Sequence, residues 1–151
     1  MTAAGAHTLI RPFQRTDGER VIQLWQACGL VVPQNNPNAD IERKLLVDPE
    51  LFLVACIQEL LVGTAMAGYE GHRGWLNYVA VAPDFRNRGI GQKLVRAAEQ
   101  LLLDRGCPKV NLQIRSQNAS VRAFYESLGY SVDACISLGR RLIVDEPPGP
   151  E

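Results

Sequence analysis

The feature of this sequence that most limits its fold is a strand that passes through a basic turn with two glycines and into a helix. The apolar run Val79–Ala82 ends at Pro83, and Arg86–Gln92 reads Arg-Asn-Arg-Gly-Ile-Gly-Gln. Apolar residues then recur at helical spacing. They are Ile90, Leu94, Ala97, Ala98, Leu101 and Leu102. The sequence therefore predicts a strand that is followed, after a short turn, by an amphipathic helix.

Such a turn predicts an anion site, because the first amides of a helix lack intrahelical partners and carry the positive end of the helix dipole. Gly89 and Gly91 would let a phosphate approach the backbone, while Arg86 and Arg88 add positive charge. A P-loop is disfavoured because no Gly-Lys-Ser or Gly-Lys-Thr follows, and a dinucleotide fold is disfavoured because Leu94 stands in place of its third glycine.

The remaining periodicities predict the order βααβββαβαββ, an α+β arrangement with one strand-helix-strand crossover. Thr16 to Glu19 has capping-box spacing for the first helix, and a shorter second helix is expected from about Asp40 to Val47. The predicted strands are 8–13, 51–57, 60–67, 75–82, 110–114, 130–136 and 138–144, and the later helices start near Gly89 and Asn118.

Length and net charge limit the number of domains and the kinds of binding partner that this sequence can have. The 151 residues fit a single domain, residues 1–151, with a core over about 8–144 and loose tails at 1–7 and 147–151. Sixteen Lys plus Arg balance sixteen Asp plus Glu, so no net field draws the chain to nucleic acid or to an acidic membrane.

Two further sequence patterns bear on compartment. Neither a secretory signal nor a membrane-spanning run is present, which predicts a cytoplasmic protein. The four cysteines lie far apart, and we expect buried free thiols and no metal site.

At these residues the sequence resembles the GCN5-related N-acetyltransferase (GNAT) superfamily. Its signature of Arg or Gln, two residues, Gly, one residue, and Gly or Ala is matched by Arg86, Gly89 and Gly91. Asn118 and the run Phe124–Tyr130 match the family's second motif in order and distance. The similarity extends over about residues 8–144, and details of three loops resemble the bacterial YpeA-type branch.

The resemblance implies a mixed, mostly antiparallel sheet, splayed between strands 4 and 5 to hold acetyl-CoA, with helices on both faces. It further implies that the backbone at Val79 and Val81 binds the pantetheine arm and that Asn118 contacts the arm from across the cleft. The pyrophosphate would be held by the turn amides of Arg86, Asn87, Arg88, Gly89, Ile90, Gly91 and Gln92.

Tyr125 matches the family tyrosine that lies near the thioester sulfur and can act as general acid. The alternative is a core tyrosine, because Tyr125 also lies on the apolar stripe of its helix. No clear base stands on the fourth or fifth strand, so Glu70 and His72, in the loop before the fourth strand, are candidates beside ordered water.

The implied activity is direct transfer of an acetyl group from acetyl-CoA to a primary amine in a ternary complex, without a metal. A non-catalytic acyl-CoA-binding or regulatory module is the alternative. Asp40, Glu42, Asp48 and Glu70 could attract a cationic amine, but charges on short helices usually only face solvent. The acceptor, small molecule or protein, stays open. The predicted closing strands leave a homodimer open as well.

Overall fold

A computed structural model describes residues 7–146, and the predicted tails at 1–6 and 147–151 lie outside this range. Within it the elements follow the predicted order up to the last helix. The strands are β1 Thr8–Pro12, β2 Phe52–Ile57, β3 Leu60–Tyr69, β4 Gly74–Val81 and β5 Val110–Leu112. The α-helices are α1 Gly18–Ala27, α2 Pro37–Leu45, α3 Ile90–Asp104 and α4 Ala119–Ser127.

The five strands form one mixed sheet in the order β1-β2-β3-β4-β5. The first three pairings are antiparallel, and β4 pairs with β5 in parallel, as expected for strands joined by a helical crossover. The predicted hairpin of β2 and β3 is confirmed, with Gln58 in the left-handed region at its turn. The α+β fold class with a mixed, mostly antiparallel sheet is therefore confirmed.

Helices cover both faces of this sheet, as predicted. Alternate residues of β2 divide between the faces: Leu53 and Ala55 pack with α3 and Tyr125 of α4, while Phe52 and Val54 pack with α1 and α2. The predicted apolar face of α1 is confirmed, because its Val21, Leu24 and Trp25 are buried. Trp25 is fully buried on this second face.

One predicted capping box and one predicted helix start were wrong. Helix α1 begins at Gly18, within the predicted Thr16–Glu19 box, but the capping box forms earlier, between Gln14 and Asp17, because a 3-10 turn at 15–17 precedes the helix and the Asp17 carboxylate accepts the N–H of Gln14. Helix α2 begins at Pro37 rather than near Asp40, since the Asn36 side chain accepts amides of the first turn and proline is favourable at that position.

The two closing strands were also predicted wrongly, because 130–146 forms no strand. The 130–137 stretch runs beside β5, but side chains make the contacts: Lys109 Nζ lies 2.9 Å from the Asp133 carboxylate, and Gln113 binds Ser137. With only three residues in β5, little backbone is available for a ladder. The prediction of four buried thiols holds for Cys56 and Cys107 but fails at two positions, since Cys28 is only partly buried and Cys135 is exposed.

Residues 7–146 show neither a membrane-spanning helix nor a metal cluster. No helix in residues 7–146 combines the length and the apolar character that crossing a bilayer requires. The same residues contain no cluster of three or more His, Cys, Asp or Glu side chains arranged to hold a metal ion.

A buried carboxylate joins β1 to the start of α1. Asp17 is fully buried, and Arg11 donates two hydrogen bonds to it at 2.8 and 2.9 Å. Arg20 and the N–H of Gln14 donate two more at 2.8 Å. These donors, Arg11 foremost, hold the pKa of the Asp17 carboxyl below its usual range. The charged form is thus the one that the folded state stabilises.

We expect Asp17→Asn to lower the free energy of unfolding at neutral pH by about 3 kcal/mol, the low end for breaking a buried ion pair. Because the folded pKa is depressed, the Asp17 contribution is present above the unfolded pKa of about 4 and is lost as pH falls through the folded value. Urea unfolding from neutral to acidic pH measures this. The two proteins should converge in acid, and a constant difference at every pH would contradict the assignment.

Candidate functional site

The site is a cleft that opens where β4 and β5 separate. The two strands pair only over Gly74–Leu76 and Val110–Leu112. Strand β4 continues to Val81, whereas the chain after Leu112 leaves the sheet toward α4. Residues 77–81 of β4 therefore have no strand beside them on that edge in the described part of the chain. This splay between strands 4 and 5 places Val79 and Val81 on an edge where a ligand can bind backbone groups.

The turn after β4 presents a row of free amides. Asn87 and Gly89 both have positive φ, +63° and +79°, and α3 starts directly after them. The first helical bond runs from Lys93 N–H to the Gly89 carbonyl. No acceptor within residues 7–146 binds the six amides from Asn87 to Gln92. Consecutive amides at a helix start form a site for an anion such as a pyrophosphate.

Both arginines of the turn are exposed, and each contacts a residue next to the turn. The Arg86 Nε donates to the Val81 carbonyl at 3.1 Å, which ties the turn to the end of β4. The Arg88 guanidinium lies over the Phe85 ring, 5.0 Å from its centroid. They keep positive charge next to the free amides in a chain with no net charge.

The two glycines of the turn serve different needs. Gly89 faces open space, so its requirement is the positive φ that other residues rarely adopt. A Cβ on Gly91 would lie 3.2 Å from Cζ of Phe124 and 3.6 Å from Cγ2 of Val81. Glycine at 91 thus lets α4 pack against the start of α3 and the end of β4. The sequence suggested that glycine at 91 allows a phosphate to approach the backbone. In the structure, the group that closely approaches position 91 is the Phe124 side chain.

Tyr125 lies next to that contact and is 7% exposed. Its ring meets the rings of Phe124 and Tyr130 edge to face at 5.0 and 5.5 Å. The hydroxyl has no hydrogen-bond partner within residues 7–146, yet it is not sealed from solvent. Burial raises the pKa of Tyr125 to about 12, so the hydroxyl keeps its proton at neutral pH. A core tyrosine would ordinarily use its hydroxyl in the protein; this one leaves it available.

Asn118 caps α4, as predicted. Its Oδ1 accepts the Val121 N–H at 3.4 Å and the Ser120 hydroxyl at 3.2 Å. The oxygen is thus used by the helix, whereas the amide nitrogen donates to no residue within 7–146. The predicted contact with the pantetheine arm stays a prediction, and it would have to use this nitrogen or the backbone.

Glu70 and His72 lie in the loop that enters β4, at the end where β4 and β5 are paired. The Glu70 carboxylate accepts the backbone N–H groups of Arg73 and of His72, and Trp75 Nε1 at 3.2 Å. These hydrogen bonds, that of Arg73 first, lower the pKa of Glu70 and weaken it as a base. His72 is exposed beside the Arg73 guanidinium. The other predicted site residues gather toward the open end of the cleft.

All four acidic side chains proposed for amine attraction have partners within residues 7–146. Glu42 pairs with Arg15, Asp48 pairs with Arg105, and Glu70 binds its own loop. Asp40 lies 3.5 Å from Arg43 through Oδ1, and its Oδ2 accepts the hydroxyl of Tyr78, a residue in the open part of β4, at 2.6 Å. Sequence reasoning missed Tyr78, whose only signal was a phenol within the predicted strand 75–82.

Comparison with known proteins gives one family. Residues 18–130, more than half of the chain, match the family model described as acetyltransferase (GNAT) family. The acetyltransferase YE1169 of Yersinia enterocolitica is 51% identical over 137 residues, which cover 91% of this chain and 97% of the relative. The acetyltransferase ECA0875 of Pectobacterium atrosepticum is 51% identical over 136 residues, covering 90% and 96%.

Solved structures share the fold. Ard1 of Thermoplasma volcanium superposes with a TM-score of 0.74 at 25% identity, over 84% of each chain. An aminoglycoside N-acetyltransferase, AAC(6')-Iy, solved with CoA, gives 0.75 at 22% identity over 92% of this chain and 97% of its own. The latter likeness concerns the fold alone.

Proposed function

The chain belongs to the acetyltransferase (GNAT) family, and we propose that it is an N-acetyltransferase that moves an acetyl group from acetyl-CoA directly to a primary amine in a ternary complex. One observation carries the proposal: the six free amides from Asn87 to Gln92 adjoin an edge of β4 that has no neighbouring strand. Pyrophosphate at these amides and a pantetheine arm along Val79 and Val81 would use both features.

Tyr125 is the proposed general acid. As the amine nitrogen bonds to the acetyl carbon and the carbon–sulfur bond breaks, the Tyr125 hydroxyl donates to the sulfur that leaves. The amine proton goes to solvent, and solvent restores the tyrosine proton. A thiol has a pKa of about 8.5, so full proton transfer from a group near 12 is uphill. Tyr125 therefore contributes at the low end of general acid catalysis.

Water is the acceptor that we favour for the amine proton. Glu70 is a weak candidate because three hydrogen bonds occupy its carboxylate and lower its pKa. His72 remains a predicted alternative in the same loop. Asp40, next to Tyr78, offers a carboxylate that could attract a cationic amine toward the open part of β4. The acetyl acceptor that we propose is thus a primary amine.

Free thiols favour a reducing compartment, and we place the reaction in the cytoplasm.

Release of free thiol from acetyl-CoA, measured against a pooled set of amines, tests the activity. Turnover that depends on added amine is expected. Binding of acetyl-CoA without turnover for any amine would instead favour a non-catalytic acyl-CoA-binding module, for which the absence of a carboxylate on β4 and β5 is the supporting sequence feature.

Gly89→Asp should abolish binding to the turn, because the variant places a negative charge where the phosphates would lie. Acetyl-CoA at a hundred times its dissociation constant should stabilise the natural protein by about 2.7 kcal/mol and raise its melting temperature by several degrees. Gly89→Ala is the matched control, since it introduces the same backbone strain at φ +79° without the charge. A ligand-induced shift that survives in the aspartate variant would remove the turn from the site.

Tyr125→Phe is expected to lower the turnover number by about a hundredfold and to leave acetyl-CoA affinity nearly unchanged, because the ring and its two aromatic contacts stay. Its melting temperature should hold as well, since the hydroxyl binds no residue within 7–146. Steady-state kinetics with thermal unfolding measures both. Full turnover in this variant would return Tyr125 to a purely structural role.

We also propose a homodimer, built from the segment that the sequence predicted as closing strands. Its large apolar residues are 64–88% exposed: Val132, Ile136, Leu138, Leu142, Ile143 and Val144. A groove of about 1300 Å³ lies between β5 and 130–137, and Asn118 and Tyr125 also line it. The chain's own 138–146 stretch is held elsewhere, through Arg141 with Asn35 and Arg43 with Asp145 on the α2 side. Because the groove adjoins the proposed site, a second copy would cover the exposed apolar residues from outside it.

Light scattering across a range of protein concentrations should therefore report a dimer. Leu142→Asp is expected to shift it to monomer, whereas Leu46→Asp, at a residue 86% exposed beyond the end of α2, should not. A natural protein that is monomeric at every concentration would contradict the proposal.

A further inference from the structure

Strand β4 carries a bulge in the open part of the cleft. Thr64 of β3 is opposite Ala80, and Met66 is opposite Asn77, so Ala65 faces two residues of β4, Tyr78 and Val79. Tyr78 has φ +50°, a conformation that a bulky aromatic residue rarely adopts. The bulge also reverses the alternation of the strand. Leu76 packs on the α3 face and Ala80 on the α1 face, although they are four residues apart.

A buried hydrogen-bond chain holds this bulge from the α1 side. Thr64 is fully buried, and its hydroxyl donates to the Tyr78 carbonyl at 2.8 Å. The Trp25 Nε1 donates to the same hydroxyl at 2.9 Å. Because an indole nitrogen can only donate, Thr64 must accept from Trp25, and its own proton is left for the Tyr78 carbonyl. Trp25 thus holds in place the hydroxyl whose hydrogen bond restrains the bulge.

The Tyr78 side chain is restrained as well. Its ring stacks on Trp25 with centroids 3.8 Å apart, and its hydroxyl donates to Asp40 at 2.6 Å. Contacts from α1, α2 and β3 therefore converge on one strained residue. Strained backbone persists where the surroundings over-determine it, and such positions cluster at functional sites.

The bulge coincides with the place where a ligand arm must end. An arm that enters at the turn and follows β4 back from Val81 meets the closed end of the cleft at Leu76, where β4 and β5 pair. Its terminal group therefore lies near 77–79, about 10 Å along the strand from Val81. A bulge leaves backbone groups of its extra residue outside the ladder. Thr64 already binds the Tyr78 carbonyl, so the donors that the bulge can offer to the carbonyl oxygen of an acetyl thioester are its backbone N–H groups.

We infer that Thr64 and Trp25 are positioning residues for acetyl transfer, because they hold the Tyr78–Val79 bulge in the shape that receives the acetyl end of acetyl-CoA. The inference rests on the proposed function and adds residues that never touch the ligand. Its consequence is specific: loosening the bulge should weaken the contact with the acetyl group and leave the pyrophosphate contact at the turn unchanged.

Calorimetric titration with acetyl-CoA and with CoA separates these two contacts without needing an acceptor. Thr64→Val keeps the shape of the side chain and removes the hydroxyl. We expect it to lose about 3- to 10-fold in affinity for acetyl-CoA, the value of one hydrogen bond, with CoA affinity within about twofold of the natural protein. Thr64→Ser restores the hydroxyl and should restore the affinity ratio. Trp25→Phe removes the indole donor and also reduces the ring stacked on Tyr78, and it should lower the same ratio as well.

A matched core variant separates positioning from general destabilisation. Leu61→Ala lies in the same buried cluster as Trp25, at the hairpin end of β3 about 10 Å along the strand from Thr64, and makes a cavity away from the bulge. It should lower the melting temperature and leave the affinity ratio unchanged. Should Thr64→Val fail to fold, Trp25→Phe and Thr64→Ser carry the comparison.

Equal losses for both ligands, or no loss for either, would overturn the inference while leaving the proposed function intact. If the natural protein bound neither acetyl-CoA nor CoA, the proposed function would fail first and the inference would fall with it.

Discussion

The brief pairing of β4 with β5 is the constraint on which the site depends. Three residues of each strand hold the two halves of the sheet together, and the separation beyond Leu76 gives a cleft with one closed end. A longer parallel ladder would occupy the β4 edge and leave no backbone for a ligand. A shorter one would detach β5 and α4 from the sheet. The length of the ladder therefore sets where a ligand arm enters and where it stops.

One close contact brings the two sequence motifs into a single site. Phe124 of the second motif packs on Gly91 of the first, and Val81 completes the contact. Packing in protein interiors is tight enough that even a methyl group at 91 would force a shift of a few tenths of an ångström. The same contact carries Tyr125 to the cleft. Gly91 belongs to the phosphate-binding signature in the sequence. It is thus also needed to position Tyr125, the proposed general acid.

The sequence predicted those parts that local periodicity and turn chemistry control. The faces of α1 and α3, the hairpin of β2 and β3, and the turn at 86–92 follow from residues close together in the chain. The closing strands were predicted wrongly because alternation shows that 130–144 suits a strand but not which edge is free to pair with it. The bulge left no signal at all, since it depends on a threonine 14 residues away and a tryptophan in another element.

The acceptor is hard to predict from sequence for a related reason. Acidic residues on the second helix and nearby loops look equivalent in the chain, and only their partners distinguish them. Arg15 and Arg105 engage Glu42 and Asp48, respectively. Asp40 alone among those four binds a residue of the open cleft, through Tyr78. Because Tyr78 also carries the strained bulge, a cation attracted to Asp40 would arrive beside the backbone that Thr64 and Trp25 restrain. If both proposals hold, selection of the amine and orientation of the acetyl group are linked through the Tyr78 side chain.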